Sequence, residues 1–204
     1  MSYVLGGIAL GFVLLTISIF IFPHSFIDLE FSHEVQEYQN PFLDSLMKLV
    51  SWFGNSPGST ITVLTGTVLF FVFKLRREAL FVLLTAASAL VSTLVKISVN
   101  RPRPAEPLVH VIQKASLQSF PSGHTTFYIV YFGFLLVLMY HLKTIPNAIR
   151  IVVSLVCILL IFTIPYSRIY LGDHWFTDVL GGFLLGMLCL YTLSFFYFRK
   201  PAGK

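Results

Sequence analysis

Residues 179–198 read Val-Leu-Gly-Gly-Phe-Leu-Leu-Gly-Met-Leu-Cys-Leu-Tyr-Thr-Leu-Ser-Phe-Phe-Tyr-Phe, without a single charged side chain. A helix needs ~20 apolar residues to cross a hydrocarbon core ~30 Å thick, so this stretch reads as a transmembrane span. Five other apolar runs reach spanning length if each gains a turn from its flanks: Tyr3 to Phe22, Ser59 to Phe73, Ala79 to Val95, Thr125 to Tyr140 and Ile151 to Tyr166. Composition agrees, with 204 residues of which 56% are hydrophobic and only 11% charged; mean hydropathy is +0.81. Such a chain is neither intrinsically disordered nor an ordinary soluble domain. The expected fold is all-α, a polytopic bundle of six transmembrane helices, with residues 1–204 forming one domain.

The net charge of +5 raises nucleic acid as a partner, but membrane topology accounts for the cations better. Lys74, Arg76 and Arg77, then Lys143 and Arg150, then Arg199, Lys200 and Lys204 follow the second, fourth and sixth spans. These mark the cytoplasmic face and place both termini there. The long segment 23–58 carries Asp28, Glu30, Glu34, Glu37 and Asp44 against Lys48, so it belongs outside. Within it, Pro41 to Phe53 gathers Phe42, Leu43, Leu46, Met47, Leu49, Val50, Trp52 and Phe53 largely on one face, the pattern of a helix lying in the interface. The first run lacks a basic leader and a small-residue cleavage site and reads as a retained span. Cys157 and Cys189 fall in apolar runs and read as small hydrophobes. Gly7 with Gly11, and Gly182 with Gly186, have a spacing that lets helices approach closely inside one bundle.

No span carries a charge at its middle, which argues against a proton-coupled transporter. Polar chemistry gathers instead in two outer connections, roughly 96–124 and 167–178, as Lys96-Ile-Ser-Val-Asn-Arg-Pro-Arg103-Pro104, Pro121-Ser122-Gly123-His124 and Ser167-Arg168-Ile-Tyr-Leu-Gly-Asp173-His174-Trp-Phe-Thr-Asp178. Lys96, Arg103 and Arg168 suit phosphate oxygens. Ser122 and Gly123 precede a helix whose free N–H groups favour an anion. If the last helix begins near Gly172, His174 and Asp178 share a face and the carboxylate orients the imidazole as nucleophile or general base. His124 is then a second proton carrier, and two histidines beside a phosphate cradle suit transfer through a phosphohistidine.

The order and spacing of these three segments resemble the tripartite signature of the type 2 phosphatidic acid phosphatase superfamily, over residues 96–178 by motif and over the whole chain by its six-span layout. The layout is similar to that of the bacterial membrane-integral phosphatidylglycerophosphatase branch. This resemblance implies that Lys96, Arg103 and Arg168, with Ser122 and the Gly123 amide, hold the phosphate. It implies that His174 attacks phosphorus, Asp178 orients it, and His124 protonates the leaving oxygen and then activates water. It implies no metal and no cofactor, a membrane lipid phosphate as substrate, and an active site on the extracytoplasmic face of the cell membrane. The likeness favours phosphatidylglycerophosphate, with undecaprenyl diphosphate or a broad range of lipid phosphates as the alternative. A non-catalytic lipid-binding or transport protein is the rival of a different class. Neither nucleic acid nor an obligate protein partner is expected.

Other polar residues take plainer readings. His24, His33, His110 and His141 read as solvated, Lys114 as a surface lysine, and Arg101 as a solvated cation with a rim contact as its alternative. Ser167 reads as capping a turn, with a phosphate contact as its alternative, and Tyr166, Tyr170 and Trp175 as interfacial anchors. Asp173 is set aside as the orienting acid, because neighbours on a helix diverge by about 100°.

Overall fold

A computed structural model describes residues 2–23, 25–113 and 115–199; His24, Lys114, Lys200 and Lys204 lie outside the described residues. Among the described residues every long regular element is helical: α1 (Ser2–Ile21), α2 (Phe26–Gln36), α3 (Pro41–Trp52), α4 (Gly58–Val72), α5 (Arg76–Leu84), α6 (Ala87–Val99), α7 (Gly123–His141), α8 (Asn147–Tyr170) and α9 (Phe176–Phe198). Five stretches are long and apolar enough to cross a membrane: Tyr3–Ile21, Arg76–Val99, Gly123–His141, Asn147–Tyr170 and Phe176–Phe198. The remaining expected span, α4, has 15 residues, about 22 Å of helix.

The third span is broken where the sequence shows one apolar run. A turn at Thr85–Ala86 separates α5 from α6; there Thr85 Oγ1 donates to the Val82 carbonyl (2.6 Å) and Ser88 Oγ to the Thr85 carbonyl (2.7 Å). Hydroxyls bonding back to the preceding turn compete with helical hydrogen bonding. The interruption leaves Lys96 in the last turn of α6, with Asn100 closing the helix in the left-handed region at φ 50°.

α7 is the central helix, buried from Thr125 through Phe134 and packed between α8 and α9. Its aromatic residues from Phe127 to Phe134 face inward, while α1 and α8 leave Leu10, Leu14, Ile17, Leu155, Leu159 and Phe162 exposed, an apolar surface suited to lipid. α9 approaches α7 through two glycines. A Cβ on Gly182 would meet the Ser122 carbonyl at 2.6 Å, and one on Gly186 would meet Ile129 Cβ at 2.7 Å. Gly7 has no comparable neighbour, and Gly11 has only Leu184 at 3.9 Å.

Three expectations for the segments around residues 41–53 and 167–178 change. α8 runs on to Tyr170 and α9 starts only at Phe176, so the connection is a short turn through Gly172 at φ +69°, packed where a Cβ would meet the His110 carbonyl at 2.2 Å. α3 forms, but Met47 and Ser51 are buried toward α8, where Ser167 Oγ donates to the Met47 carbonyl (2.8 Å) instead of capping a turn. Phe42, Leu46 and Leu49 point away and stay exposed. Tyr170 and Trp175 are wholly buried. The Tyr170 hydroxyl donates to Asp44 (2.7 Å) and the Trp175 indole to the Pro102 carbonyl (3.2 Å), so internal hydrogen bonds claim both polar tips; Tyr166 alone of the three is exposed.

Candidate active site

The 101–121 connection folds over the ends of α6, α7 and α9 and fixes two cations. Lys96 Nζ donates to the carbonyls of Gln118 (2.6 Å) and Ser119 (3.1 Å). Arg103 donates through Nε to Leu117 (2.5 Å) and through Nη1 to the Asp173 carbonyl (2.6 Å), and pairs with the Asp173 carboxylate at 2.9 Å. Both side chains line a cavity of about 340 Å³ together with Gly123, His124, Asp173 and His174.

Arg168, Ser122 and Asp178 stand behind that wall, each fully buried. Arg168 contacts Ser51 Oγ and the Asp173 carboxylate, and its Nε has no hydrogen-bond partner among the described residues. The hydroxyl expected on phosphate, that of Ser122, is engaged at the start of α7, accepting from the backbone N–H (3.4 Å) and Oγ1 (3.0 Å) of Thr125. N-capping of this kind satisfies a helix donor and leaves the Gly123 end of α7 facing the cavity.

His174 lies in the turn before α9 and not on its face, so the helical spacing argument fails. A cap supplies the contact instead. Asp178 is the third residue of α9; its carboxylate accepts from the Trp175 N–H (2.9 Å) and from Ser119 Oγ, and stands 3.5 Å from His174 Nδ1. His174 Nε2 faces Arg103 Nη1 at 3.4 Å and Asp173 at 3.5 Å. Asp173 thus touches the imidazole as well, because outside a helix adjacent side chains need not diverge. Burial drives the His174 imidazole well below its ordinary value, with Arg103, Lys96 and Arg168 pushing the same way and Asp173 opposing. The ring is therefore neutral at rest, with a nitrogen lone pair available. Burial alone would raise the Asp173 carboxyl, yet His174 when protonated, Arg168 and Arg103 outweigh it and hold it below the usual range.

Sequence reasoning missed three elements. Asn55, in the turn after α3, meets His124 Nε2 through Oδ1 at 2.8 Å, and no motif signals it. Gly54 lies so close to the same ring that a Cβ there would meet His124 Cγ at 3.0 Å. Arg101 is not solvated: it is 3% exposed and bridges Asp178 (2.6 Å) to Asp28 (2.7 Å). His33 bonds the Leu108 carbonyl (2.9 Å), His110 pairs with Glu106 at an exposed site (3.1 Å), and His141 packs on Phe198 with ring centres 4.7 Å apart, all without a cavity contact.

Comparison with known proteins gives a consistent answer. The PAP2 superfamily model matches residues 77–201. Phosphatidylglycerophosphatase B of Bacillus subtilis strain 168 is 32% identical over 164 residues, covering 78% of this chain and 77% of that protein. YbjG of Escherichia coli K12, named as a candidate undecaprenyl-diphosphatase, is 38% identical over 80 residues, 39% of this chain and 35% of that one. The crystal structure of a transmembrane PAP2-type phosphatidylglycerolphosphate phosphatase from Bacillus subtilis superposes with a TM-score of 0.79 at 26% identity, covering 94% of each chain. That of Aquifex aeolicus LpxE reaches 0.64 at 23% identity, over 84% of this chain and 96% of the other, a likeness of fold.

Proposed function

The chain belongs to the PAP2 superfamily of phosphatases, and from that premise we propose that it removes phosphate from phosphatidylglycerophosphate through a phosphohistidine, yielding phosphatidylglycerol. The observation that carries this reading is the meeting of Lys96, Arg103, His124 and His174 on one cavity. His174 Nε2, held between Arg103 and Asp173, attacks phosphorus while the Asp178 carboxylate stabilises the charge that develops at Nδ1. Lys96, Arg103 and the Gly123 amide take the phosphate oxygens, and Arg168 adds its charge from behind Asp173. The 3.5 Å separation of Nδ1 and Asp178 tightens as the substrate is bound. His124, steadied by Asn55, protonates the leaving lipid oxygen and then draws a proton from the water that cleaves the phosphohistidine.

The reading extends to placement. α4 completes a six-span bundle by drawing on its flanks, both termini are cytoplasmic, and the cavity faces the extracytoplasmic side. The exposed Phe42, Leu46 and Leu49 of α3 rest in the interface. The bilayer is the only partner the reaction needs, and the cations around the cavity supply the charge stabilisation, so neither metal nor cofactor takes part. A second reading, hydrolysis of undecaprenyl diphosphate, is favoured by the 80-residue match to YbjG and uses the same residues.

The test is phosphate release by purified protein in detergent with excess chelator, comparing phosphatidylglycerophosphate with undecaprenyl diphosphate, with His174→Ala as blank. Preference for the first supports the assignment and preference for the second moves the protein to carrier-lipid recycling. The absence of His174-dependent release from either overturns both substrate assignments.

A further inference from the structure

Arg101 is a buried charged group with no part in the chemistry above. Its guanidinium donates through Nη1 to Asp178 Oδ1 (2.6 Å) and Thr177 Oγ1 (2.7 Å), and through Nη2 to Asp28 Oδ2 (2.7 Å) and the Pro23 carbonyl (2.8 Å). Nε reaches the same Pro23 carbonyl at 3.1 Å. Asp28, on α2 and wholly buried, also accepts from the backbone N–H (2.9 Å) and Oγ1 (2.8 Å) of Thr177. One guanidinium therefore lies between two buried carboxylates, and the second of them grips the first turn of α9 directly.

We infer that Arg101, anchored by Asp28, is a positioning residue for the phosphoryl-transfer step. It pins one oxygen of Asp178 so that the other is aimed at His174 Nδ1. The geometry divides the Asp178 carboxylate cleanly: Oδ1 goes to Arg101, and Oδ2 to Trp175, Ser119 and His174. Without a donor at Oδ1 only Trp175 and Ser119 hold the carboxylate, both at Oδ2, and the plane of the group, which sets how Oδ2 meets the imidazole, is no longer fixed from its other end. Asp28 lies outside residues 77–201, the part matched by the family model, so α2, an element beyond that part, reaches the centre of the site through Arg101. This inference rests on the reading of His174 as the attacking group.

The test is a double-mutant cycle on lipid-phosphate hydrolysis in detergent, with melting temperature followed in parallel. Arg101→Gln is expected to lower kcat ~10- to 100-fold, taking as the scale the loss of an outer partner that orients a metal-binding histidine, with KM within about threefold. In an Asp178→Asn background the same change should alter kcat less than about threefold, since the group it aims is already disabled. Arg101→Lys, which still reaches one carboxylate, should recover part of the loss. Because Arg101→Gln strands two buried carboxylates and can prevent folding, Asp28→Asn/Arg101→Gln removes one of them and should fold with the same low kcat. Multiplicative losses in Arg101→Gln/Asp178→Asn, or a folded Arg101→Gln with wild-type kcat, overturns the assignment. If no variant at 101 folds, the role is structural and the assignment is likewise overturned. Wild-type protein that releases no phosphate in a His174-dependent way defeats the functional reading instead, so the two failures are distinguishable.

Discussion

Gly54→Ala tests whether the position of His124 limits turnover. The added Cβ would lie 2.4 Å from His124 Cδ2, 3.0 Å from Cγ and 3.1 Å from Tyr128 Cε2. Carbon atoms in contact prefer about 3.5 to 4.0 Å. Tyr128 is fully buried and its ring packs against Phe132 with centres 5.0 Å apart, so the imidazole is the group that gives, by about 1 Å. That movement stretches the 2.8 Å contact between His124 Nε2 and Asn55 beyond hydrogen-bonding range. A misplacement of ~1 Å in a reacting group costs ~100-fold in rate, or about 2.7 kcal/mol of transition-state stabilisation, while crowding lowers stability by ~1 to 3 kcal/mol. The assay is steady-state phosphate release in detergent beside a thermal melt. Asn55→Ala serves as a comparator that loosens the ring without crowding it and should also reduce kcat. Turnover of Gly54→Ala within threefold of wild type in folded protein would show that the loop yields before the imidazole does, and would refute the link between ring position and rate.

Two further perturbations bear on charge. Asp173→Asn keeps size but strips the partner of Arg168, which is wholly buried; breaking such a pair costs ~3 to 5 kcal/mol. For a chain of this length that is a fall of roughly 6 °C or more in melting temperature, and a fall under 2 °C by scanning fluorimetry in detergent contradicts it. The second concerns pH. Because His174 is held well below its ordinary value of 6.5, the unfolded chain binds a proton as pH drops through 6.5 while the folded protein does not. The stability contributed by the neutral ring is thus complete above that value and is lost progressively below it. Melting temperatures between pH 7.5 and 5 should fall with acidity and fall less steeply in His174→Asn; the depressed Asp173 carboxyl titrates below its ordinary 3.8, outside this window. Equal slopes in the two proteins count against the buried neutral imidazole.

How far the site could be read from sequence depends on whether each contact is local or needs the third dimension. Lys96, Arg103, His124 and His174 belong to three ordered segments, and the structure draws them to one cavity. The apolar runs likewise become helices where composition places them, with Thr85 and Ser88 interrupting one through hydrogen bonds that hydropathy does not register. The pairing of His174 with Asp178 was legible as a spacing but not as a mechanism. The four-residue interval works here because Asp178 caps the helix that starts at Phe176, and the same late start brings Asp173, set aside on helical geometry, against the imidazole. Arg101 looked solvated because its counter-charge, Asp28, lies 73 residues earlier in a segment that reads only as an acidic outer loop. Asn55 and Gly54 gave no signal because a turn residue's role against a distant ring exists only after α3 has packed on α8.

The non-motif residues follow from the motif residues by electrostatic necessity. A phosphate site near a bilayer must hold its cations away from water, and an unpaired buried charge costs several kcal/mol. Arg168 is balanced by Asp173 from the adjoining turn, which also serves Arg103, and Arg101 is shared by Asp28 and Asp178. Around the cavity, Lys96, Arg101, Arg103 and Arg168 face three carboxylates, those of Asp28, Asp173 and Asp178. With His174 neutral, this set leaves one positive charge over. Lys96 has no carboxylate partner among the described residues; its ammonium donates to the neutral carbonyls of Gln118 and Ser119 and lines the cavity beside Gly123. A carboxylate against Lys96 would quench the attraction for phosphate; backbone carbonyls hold the ammonium in place without cancelling its charge. The same logic ties α2 and α3, which carry no part of the signature, to the site: Asp28 and Ser51 complete the partners of Arg101 and Arg168.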